Sequence, residues 1–415
     1  MNRRATQGEL LLPLLETLAR HGPSRPRDAS DALARKLAIA PAERQRRTHA
    51  GRAGLINAWN RTIRYVRLKA RTQGLLFNTN EGLWSLTEEG HHALALARPG
   101  VIITLYQTHS GQLVWADARS AAGQVLDPNS VQLLFSSPPY PLTRPKAYGN
   151  LPPEQHITWL LDVLEETRFA LKDDASLVLN VGDVWESGQP TQSTYPFELL
   201  LALTRSGYHL CQAFMWHNPA RLPGPAEWVT VRRERVTHAT EHVFWLARTP
   251  HPKADNRRVL RAYSDSMRAR INAGGERGAR RPSGHQHRAG AFARDNGGSI
   301  PHNLLQIANS SSNDAYLEAC REHNETPHPA RAPEALSDFF IEFLTDPGDL
   351  VLDPFAGSNT TGASAERLGR NWIGFERSLA YAHTSRHRFP QPRSPHPDLS
   401  AFAAQHARQH TPQEA

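Results

Sequence analysis

The sequence predicts an α/β protein whose main part is a doubly wound, largely parallel sheet with helices on both faces. Apolar runs of strand length recur after about residue 101, and helical patterns separate most of them. The helix-rich first hundred residues predict an additional small domain. The predicted strands are 112–116, 131–136, 176–181, 212–216, 242–247, 349–353 and 371–376. The predicted helices between them are 154–171, 196–206, 333–345 and 361–369.

Residues 1–100 combine several helical patterns with two short β-like runs. The predicted elements are helices at 9–22, 28–37, 51–72 and 88–97, and strands at 74–78 and 82–87. Helices followed by a hairpin resemble a winged helix-turn-helix domain, more narrowly the N-terminal winged-helix domains of restriction and modification enzymes. Arg64, Arg67 and Lys69 on the third helix are candidate DNA contacts; a dimerisation or packing module is the alternative.

Positive charge is concentrated in two blocks of the 415-residue chain, whose net charge is +8. Residues 1–100 contain 17 Lys and Arg against 8 Asp and Glu, and residues 248–300 contain 12 against 4. The rest of the chain is net acidic. Two basic blocks on an acidic chain favour two surfaces that face a polyanion such as nucleic acid over a merely solvated arginine-rich surface.

Several function classes are disfavoured by composition. No apolar run reaches the length of a membrane span, and the first residues lack the apolar core of a signal peptide. We therefore expect a cytoplasmic protein, associated with the nucleoid through DNA, and no membrane partner. Cys211 and Cys320 lie far apart and form no metal-binding pattern, so no metal site is predicted.

The stretch 349–362 predicts a ligand-binding turn between a strand and a helix. Glycine and serine let a ligand approach the backbone, and the following helix start offers free N–H groups. About twenty residues later a second strand ends in Glu376, where a carboxylate is placed to accept hydrogen bonds from ribose hydroxyls. A purely structural strand–turn–helix is the alternative.

These residues resemble a known cofactor motif. DPFAGSNTT followed by a strand ending in GFE is similar to the S-adenosylmethionine motif of amino-methylating DNA methyltransferases. That motif usually reads DPFxGSGT, and Asn359 replaces its second glycine; asparagine tolerates left-handed backbone angles. Upstream, HPARAP resembles the family's HPAxFP segment at the methionine end of the pocket, with Ala332 in place of phenylalanine. The resemblance implies cofactor contacts by Asp353, Pro354, Phe355, Ala356, Gly357, Ser358, Asn359, Thr360, Glu376, His328, Pro329 and Ala330.

Ser137-Pro138-Pro139-Tyr140 follows the strand at 131–136 and resembles the same family's catalytic tetrapeptide. An exocyclic amine is a poor nucleophile because its lone pair is delocalised into the ring. Acceptors that receive both N–H bonds favour the more tetrahedral, reactive state. Ser137 Oγ and the Pro138 carbonyl are the candidate acceptors, and Tyr140 offers a flat face to a base flipped out of the duplex. A structural proline turn is the alternative.

The order of catalytic motif, basic segment and cofactor motif is that of the β class of this family. The resemblance implies a Rossmann-like methyltransferase sheet and sequence-specific DNA methylation within restriction–modification. Serine in the first position of the tetrapeptide is typical of cytosine-N4 enzymes. An adenine-N6 enzyme, or a winged-helix regulator with a degenerate methyltransferase domain, is the alternative. A cognate restriction endonuclease and a homodimer are the further partners that the resemblance suggests.

Other candidates have weaker motifs. Asp183, Trp216 and Asn218 lie in segments that resemble family sequence near the target base. Arginines of the basic segment are candidate DNA contacts, namely Arg257, Arg258, Arg261, Arg268, Arg270, Arg277, Arg280 and Arg281. The predicted organisation is a winged-helix DNA-binding domain (1–100), a catalytic half (101–247), a basic target recognition region (248–310), a cofactor-binding half (311–389) and a disordered tail (390–415).

Overall fold

The computed structural model describes most of the chain. The described residues are 10–37, 39–49, 55–72, 74–87, 90–91, 94, 96–97, 100–139, 141, 153–186, 188–276, 278, 287–310, 314–395, 403–404 and 407. None of the helices in these ranges is long and apolar enough to cross a membrane.

The N-terminal region folds around its own apolar core. Its elements are α1 (Leu11–His21), α2 (Pro26–Lys36), α3 (Pro41–Gln45), β1 (Arg47–His49), β2 (Leu55–Asn57), α4 (Ala58–Thr72), β3 (Leu76–Asn78) and β4 (Trp84–Leu86). Leu14, Leu33 and Ile63 from three helices pack against Trp84 of the β3–β4 hairpin. The predicted order of helices and then a hairpin is confirmed.

Two differences from the predicted N-terminal elements have physical causes. The predicted helix at 51–72 starts only at Ala58, because 55–57 pair with 47–49 as an antiparallel ladder. In the predicted helix at 88–97, residues 88, 89, 92, 93 and 95 lie outside the described residues; 90, 91 and 94 are helical, whereas 96 and 97 are not. There Leu96 bridges to Ser378, and Ala97 N donates to the carbonyl of Arg377.

The main part of the chain is one nine-stranded sheet. Its strands are β5 (Ile102–Gln107), β6 (Gly111–Ala116), β7 (Val131–Ser136), β8 (Leu171–Val181), β9 (His209–His217), β10 (Thr240–Ala247), β11 (Leu304–Gln306), β12 (Leu350–Asp353) and β13 (Asn371–Glu376). Its helices are α5 (Ala118–Val125), α6 (Pro153–Arg168), α7 (Tyr195–Arg205), α8 (Asp265–Asn272), α9 (Ala315–Glu322), α10 (Glu334–Leu344), α11 (Thr360–Arg367) and α12 (Leu379–Thr384). The strand order is β11-β9-β10-β8-β7-β12-β13-β6-β5.

Strand directions decide where the chain can build a site. The five strands β6, β13, β12, β7 and β8 are parallel to one another, while β10 is antiparallel to both β8 and β9. Carboxyl ends of parallel strands meet at one edge of the sheet. We call this the carboxyl edge; it is formed by Ala116, Ser136, Val181, Asp353 and Glu376. The opposite side, where these strands begin, is the amino edge.

Helices cover both faces of the sheet, as predicted. In the fully buried strand β7, Leu133 and Phe135 belong to a core shared with Phe340 of α10. The intervening Leu134 belongs to a second core shared with Leu160 of α6. This alternation explains the continuous apolar run: each side chain of the strand is buried, on one face or the other. The sequence analysis did not predict the shorter elements β5, β11, α5, α8, α9 and α12.

Candidate active site

A cavity of about 960 Å³ opens at the carboxyl edge. It brings the two predicted motifs together, because β7 and β12 are neighbours and Leu134 pairs with Leu352. The predicted residues in its wall are Ser137, Pro138, Pro139, Trp216, His328, Pro329, Ala330, Asp353, Pro354, Phe355, Ala356, Gly357, Ser358, Thr360 and Glu376. Tyr140 lies outside the described residues, and Asn359, Asp183 and Asn218 are not part of the wall.

Asp353 ties the two motifs to each other. Its Oδ1 accepts from Ser136 Oγ at 2.5 Å and from Phe355 N at 3.0 Å, and its Oδ2 accepts from Thr361 Oγ1 at 2.7 Å. Burial raises the pKa of Asp353, against these hydrogen bonds. The carboxyl group therefore holds the strand end, the turn and the helix α11 together at the cavity floor.

The turn that follows needs two left-handed backbone conformations. Gly357 has φ 53° and Asn359 has φ 56°, both in the region that most side chains avoid. Asn359 Oδ1 caps α11 by accepting from Gly362 N at 3.1 Å, and its Nδ2 donates to Tyr106 OH at 3.1 Å. Asn359, which stands where the family's motif has its second glycine, thus adopts the left-handed conformation that glycine allows. A Cβ on Gly357 would lie 3.2 Å from the ring of His328, so the segment that contains His328 packs directly on the turn.

Carboxylates lie at the ends of two neighbouring strands. Glu376 Oε2 accepts from Gly357 N at 2.8 Å and its Oε1 accepts from Ser378 N at 2.7 Å. Burial raises the pKa of Glu376 to about 7. Asp117, directly after β6, also lines the cavity and accepts from Arg119 N at 3.1 Å. Asp117 was not predicted from the sequence, although it carries the signal used for Glu376, an acidic residue at the end of an apolar strand.

The end of the cavity that contains Ser137, which we call the catalytic end, holds a hydrogen-bond relay that was not predicted from the sequence. Asn180 Nδ2 donates to Ser137 Oγ at 3.4 Å and to Glu241 Oε2 at 2.9 Å. Arg221 in turn donates to Glu241 Oε1 at 2.7 Å. Asn180 is 2% exposed, and its Oδ1 has no hydrogen-bond partner among the described residues. Asn180, Ser137 and Glu241 all line the cavity, so the Asn180 amide lies at the cavity wall next to Ser137.

The relay fixes which way the Asn180 amide points. Glu241 is ion-paired with Arg221, and a carboxylate can only accept hydrogen bonds. The amide nitrogen of Asn180 must therefore face Glu241, which leaves the amide oxygen as the free acceptor. A polar residue within the apolar run LVLNV was the available sequence signal, but its partner lies 61 residues away.

His156 supports the proline turn from behind. Its Nε2 contacts the Pro139 carbonyl and its Nδ1 contacts Tyr195 OH at 2.9 Å. Burial lowers the pKa of His156 to about 4, so the ring is neutral near pH 7. The neutral ring donates from Nε2 to the Pro139 carbonyl and accepts from the tyrosine at Nδ1. The buried imidazole of His156 therefore holds the proline turn without placing a charge beside it.

Two of the three weaker pocket candidates lie beside the cavity instead of lining it. Asp183 is contacted by His238 Nε2 at 2.8 Å and by His242 Nε2 at 3.4 Å. Burial opposes its charge, yet the hydrogen bonds from both histidines bring the net pKa of Asp183 below its ordinary value. Asn218 Oδ1 accepts from Ala220 N at 3.1 Å and from Asn309 N at 3.0 Å, so it shapes a loop. Trp216 does line the cavity.

Arg257 and Arg258 lie away from the cavity. Because β10 is antiparallel to β8, the segment after Ala247 leaves the sheet at the amino edge, where Lys253 N donates to the Asp174 carbonyl. Arg258 donates to the Thr345 carbonyl at 2.6 Å, and Arg257 pairs with Asp255. The structure therefore places this pair at the opposite edge of the sheet from the cavity.

The remaining arginines are only partly placed. Arg261 pairs through its backbone with Ser299, Arg268 donates to the Tyr263 carbonyl, and Arg270 lies 3.4 Å from Glu276. Arg277, Arg280 and Arg281 lie outside the described residues.

On α4, Arg64 and Lys69 are exposed. Arg67 instead donates to Asn78 Oδ1 at 2.5 Å and joins the helix to the hairpin. DNA contact by Arg64, Arg67 and Lys69 therefore stays a prediction.

Comparisons with known proteins agree with this geometry. Residues 131–387 match the DNA methylase family, and residues 8–96 match the Mrr N-terminal domain. The type II methyltransferase M.PvuII of Proteus hauseri is 42% identical over 287 residues, which is 68% of this chain and 85% of that protein. The type II methyltransferase M.BglII of Bacillus subtilis is 26% identical over 258 residues, 61% of this chain and 62% of that protein. The solved structure of the PvuII DNA methyltransferase (cytosine-N4-specific) superposes with a TM-score of 0.58 at 34% identity, covering 75% of this chain and 96% of that one.

Proposed function

We propose that this chain, which belongs to the DNA methylase family, transfers a methyl group from S-adenosylmethionine to the exocyclic N4 amine of cytosine in double-stranded DNA. The observation that carries the proposal is one cavity with both Ser137-Pro138-Pro139 and the turn at 353–360 in its wall. The relative M.PvuII and the cytosine-N4-specific solved structure support cytosine as the target. A role in restriction–modification, a cognate endonuclease and a homodimer are extensions of the proposal.

The residues present fit S-adenosylmethionine. Each carboxylate oxygen of Glu376 accepts one backbone N–H and keeps a further lone pair, which can accept from a ribose hydroxyl. The turn beside it carries no side chain at Gly357, where a Cβ would lie 3.2 Å from the His328 ring, so a ligand can approach the backbone. Asp117 can accept from the amine of the adenine ring, and the segment 328–330 forms the wall for the methionine end. When bound, the cofactor supplies an electrophilic methyl group on a sulfonium. The turn and its carboxylates bind and orient; they do not take part in the chemistry.

The chain activates the target nitrogen by positioning acceptors. Ser137 Oγ, the Pro138 carbonyl and Asn180 Oδ1 are three acceptors for the two N–H bonds of the amine. Acceptance of both N–H bonds directs the nitrogen lone pair out of the ring plane, so that it can form the new N–C bond. The methyl–sulfur bond breaks as this N–C bond forms, with its electron pair returning to sulfur, and the methylated nitrogen, which then carries a positive charge, releases one of these protons to solvent. Arg221 and Glu241 hold Asn180 in its accepting orientation, and neutral His156 holds the turn, so no rearrangement is needed during transfer.

The test is incubation of the protein with duplex DNA and S-adenosylmethionine labelled in the methyl group, followed by nucleoside analysis. We expect the label in N4-methylcytosine. Label only in N6-methyladenine would replace this proposal by the adenine alternative. Normal folding with neither cofactor binding nor methyl transfer would favour a winged-helix regulator.

A further inference from the structure

The loop at 218–239 joins β9 to β10 at the carboxyl edge, and we call it the rim loop. It starts at the cavity, since Ala220 lines the wall and Arg221 holds Glu241. Both strands that carry it have their loop ends at this edge, because Thr240 pairs with His217. Whatever enters the cavity from a DNA duplex therefore passes next to the rim loop.

The rim loop has a defined internal structure. Asn218 N donates to the Ala239 carbonyl at 2.8 Å and closes its base. Arg232 pairs with Glu227 at 2.8 Å and lies 4.9 Å above the Trp228 ring. Arg235 Nε donates to the Pro190 carbonyl at 2.7 Å, which fastens the loop to the segment after β8. These contacts hold the backbone in place and leave other side chains to face outward.

Three of those side chains are aliphatic. Leu222 is 84% exposed, Val231 68% and Val236 87%, more than any other exposed large hydrophobic residue in the described part of the chain. Isolated exposed aliphatic residues are common, but three aliphatic side chains exposed to this degree within one structured loop are not. A loop that is held by its own contacts and still presents these groups to water is expected to bury them against a partner.

The charge of the rim loop indicates what that partner is. It contains Arg221, Arg232, Arg233 and Arg235 against two glutamates. Arg233 is exposed, with φ 58°, and its guanidinium has no hydrogen bond or ion pair among the described residues. Apolar groups flanked by free positive charge match the base stack of a duplex between its two phosphate backbones. A purely apolar protein partner would not need the arginines.

We propose that the rim loop enters the duplex at the target site and places its exposed aliphatic side chains where the extruded base was stacked. Arg233 then contacts a phosphate next to that position. The apolar side chains offset part of the stacking that is lost when the base leaves the helix. The inference rests on the proposed function, since it assumes that a base enters the cavity.

The test compares Leu222→Ser/Val236→Ser with Leu210→Ser. Leu210 is an exposed residue on the same strand pair, 41% exposed, but it lies at the amino edge. All three positions are exposed, so folding is not at risk. The substrates are a duplex that contains the methylated site, found by sequencing methylated DNA, and the same duplex with a mismatch opposite the target cytosine. Because a mismatched base leaves the stack at less cost, it depends less on the loop.

We expect the double variant to lose on the order of tenfold in kcat/KM on the paired duplex and to recover most of this loss on the mismatched one. Leu210→Ser should match the wild type on both, and the affinity for S-adenosylmethionine should be unchanged in every variant. Equal losses on the two duplexes, or no loss on either, would overturn the inference while wild-type methylation still supports the proposed function. A wild-type protein that methylates no DNA would remove both.

Discussion

Replacement of Glu241 by glutamine is expected to reverse the hydrogen bonding of the catalytic end without changing its shape. The amide oxygen of the introduced glutamine can still accept from Arg221, so its amide nitrogen takes the place of the oxygen that lies 2.9 Å from Asn180 Nδ2. Two donors cannot face each other at that distance. Asn180 relieves the conflict when its amide rotates, and the rotation points Nδ2 instead of Oδ1 into the cavity.

The size of the effect follows from the burial of Asn180. A buried donor that faces the N–H bonds of the target amine costs about 1–3 kcal/mol relative to a matched acceptor. At about 1.4 kcal/mol for each factor of ten, Glu241→Gln should lower kcat/KM roughly tenfold to hundredfold. The affinity for S-adenosylmethionine should be unchanged, because Glu241 faces the catalytic end and not the turn at 353–360.

The double variant Asn180→Asp/Glu241→Gln tests the orientation directly. The introduced aspartate accepts from the amide nitrogen of the introduced glutamine and keeps its second oxygen as an acceptor in the cavity, while the pair retains one negative charge. Steady-state methylation and isothermal titration with S-adenosylmethionine would be measured for the wild type and the two variants. We expect the double variant to exceed Glu241→Gln in kcat/KM by at least about tenfold. A fully active Glu241→Gln variant, or a double variant no better than it, would refute the relay.

Three other parts of the structure give further predictions. The proposed role of the Glu376 carboxylate is to accept the ribose hydroxyls, and burial raises its pKa to about 7, so S-adenosylmethionine should bind more tightly as the pH rises from 6 to 8. Calorimetry that showed weaker binding over this range would contradict the assignment, and Glu376→Gln should remove the pH dependence. His156→Phe keeps an aromatic ring but leaves the Pro139 carbonyl without its donor. Thermal unfolding should therefore show a free energy of unfolding lower by about 1–3 kcal/mol, together with reduced turnover. Unchanged stability and turnover would rule out the support of the proline turn by His156. The double variant Arg64→Ala/Lys69→Ala should reduce the slope of log DNA affinity against log salt concentration by roughly 2, whereas Arg257→Ala at the amino edge should leave the slope unchanged. The reverse result would assign the DNA-binding surface to the amino edge and not to α4.

The motifs that meet in the cavity were predictable because parallel strands bring their carboxyl ends to one edge. Ser137 follows one apolar strand and Asp353 ends the neighbouring one, so the chain places them together although they lie far apart in sequence. The left-handed conformation that asparagine tolerates better than most residues is the one observed at Asn359. The local chemistry of a turn can be inferred from the residue types that the turn accepts.

Features that depend on the pairing between distant strands were not predictable. The contact of Asn180 with Glu241 requires the antiparallel register of β8 and β10, which no local pattern encodes. The same reversal of β10 sends Arg257 and Arg258 to the amino edge, although their position in the sequence resembled a recognition region. Short strands such as β1, β2 and β11 exist only through their partners, and three residues are too few to show a period.

The central claim is that one cavity methylates the N4 amine of cytosine with Ser137 as an acceptor. Its most direct test is the mass of the nucleosides released from duplex DNA after reaction with S-adenosylmethionine that carries a deuterated methyl group. We expect labelled N4-methylcytosine with the wild type, and a roughly hundredfold lower kcat/KM with Ser137→Ala at unchanged cofactor affinity. Label confined to N6-methyladenine, or full labelling of cytosine by the Ser137→Ala variant, would contradict it.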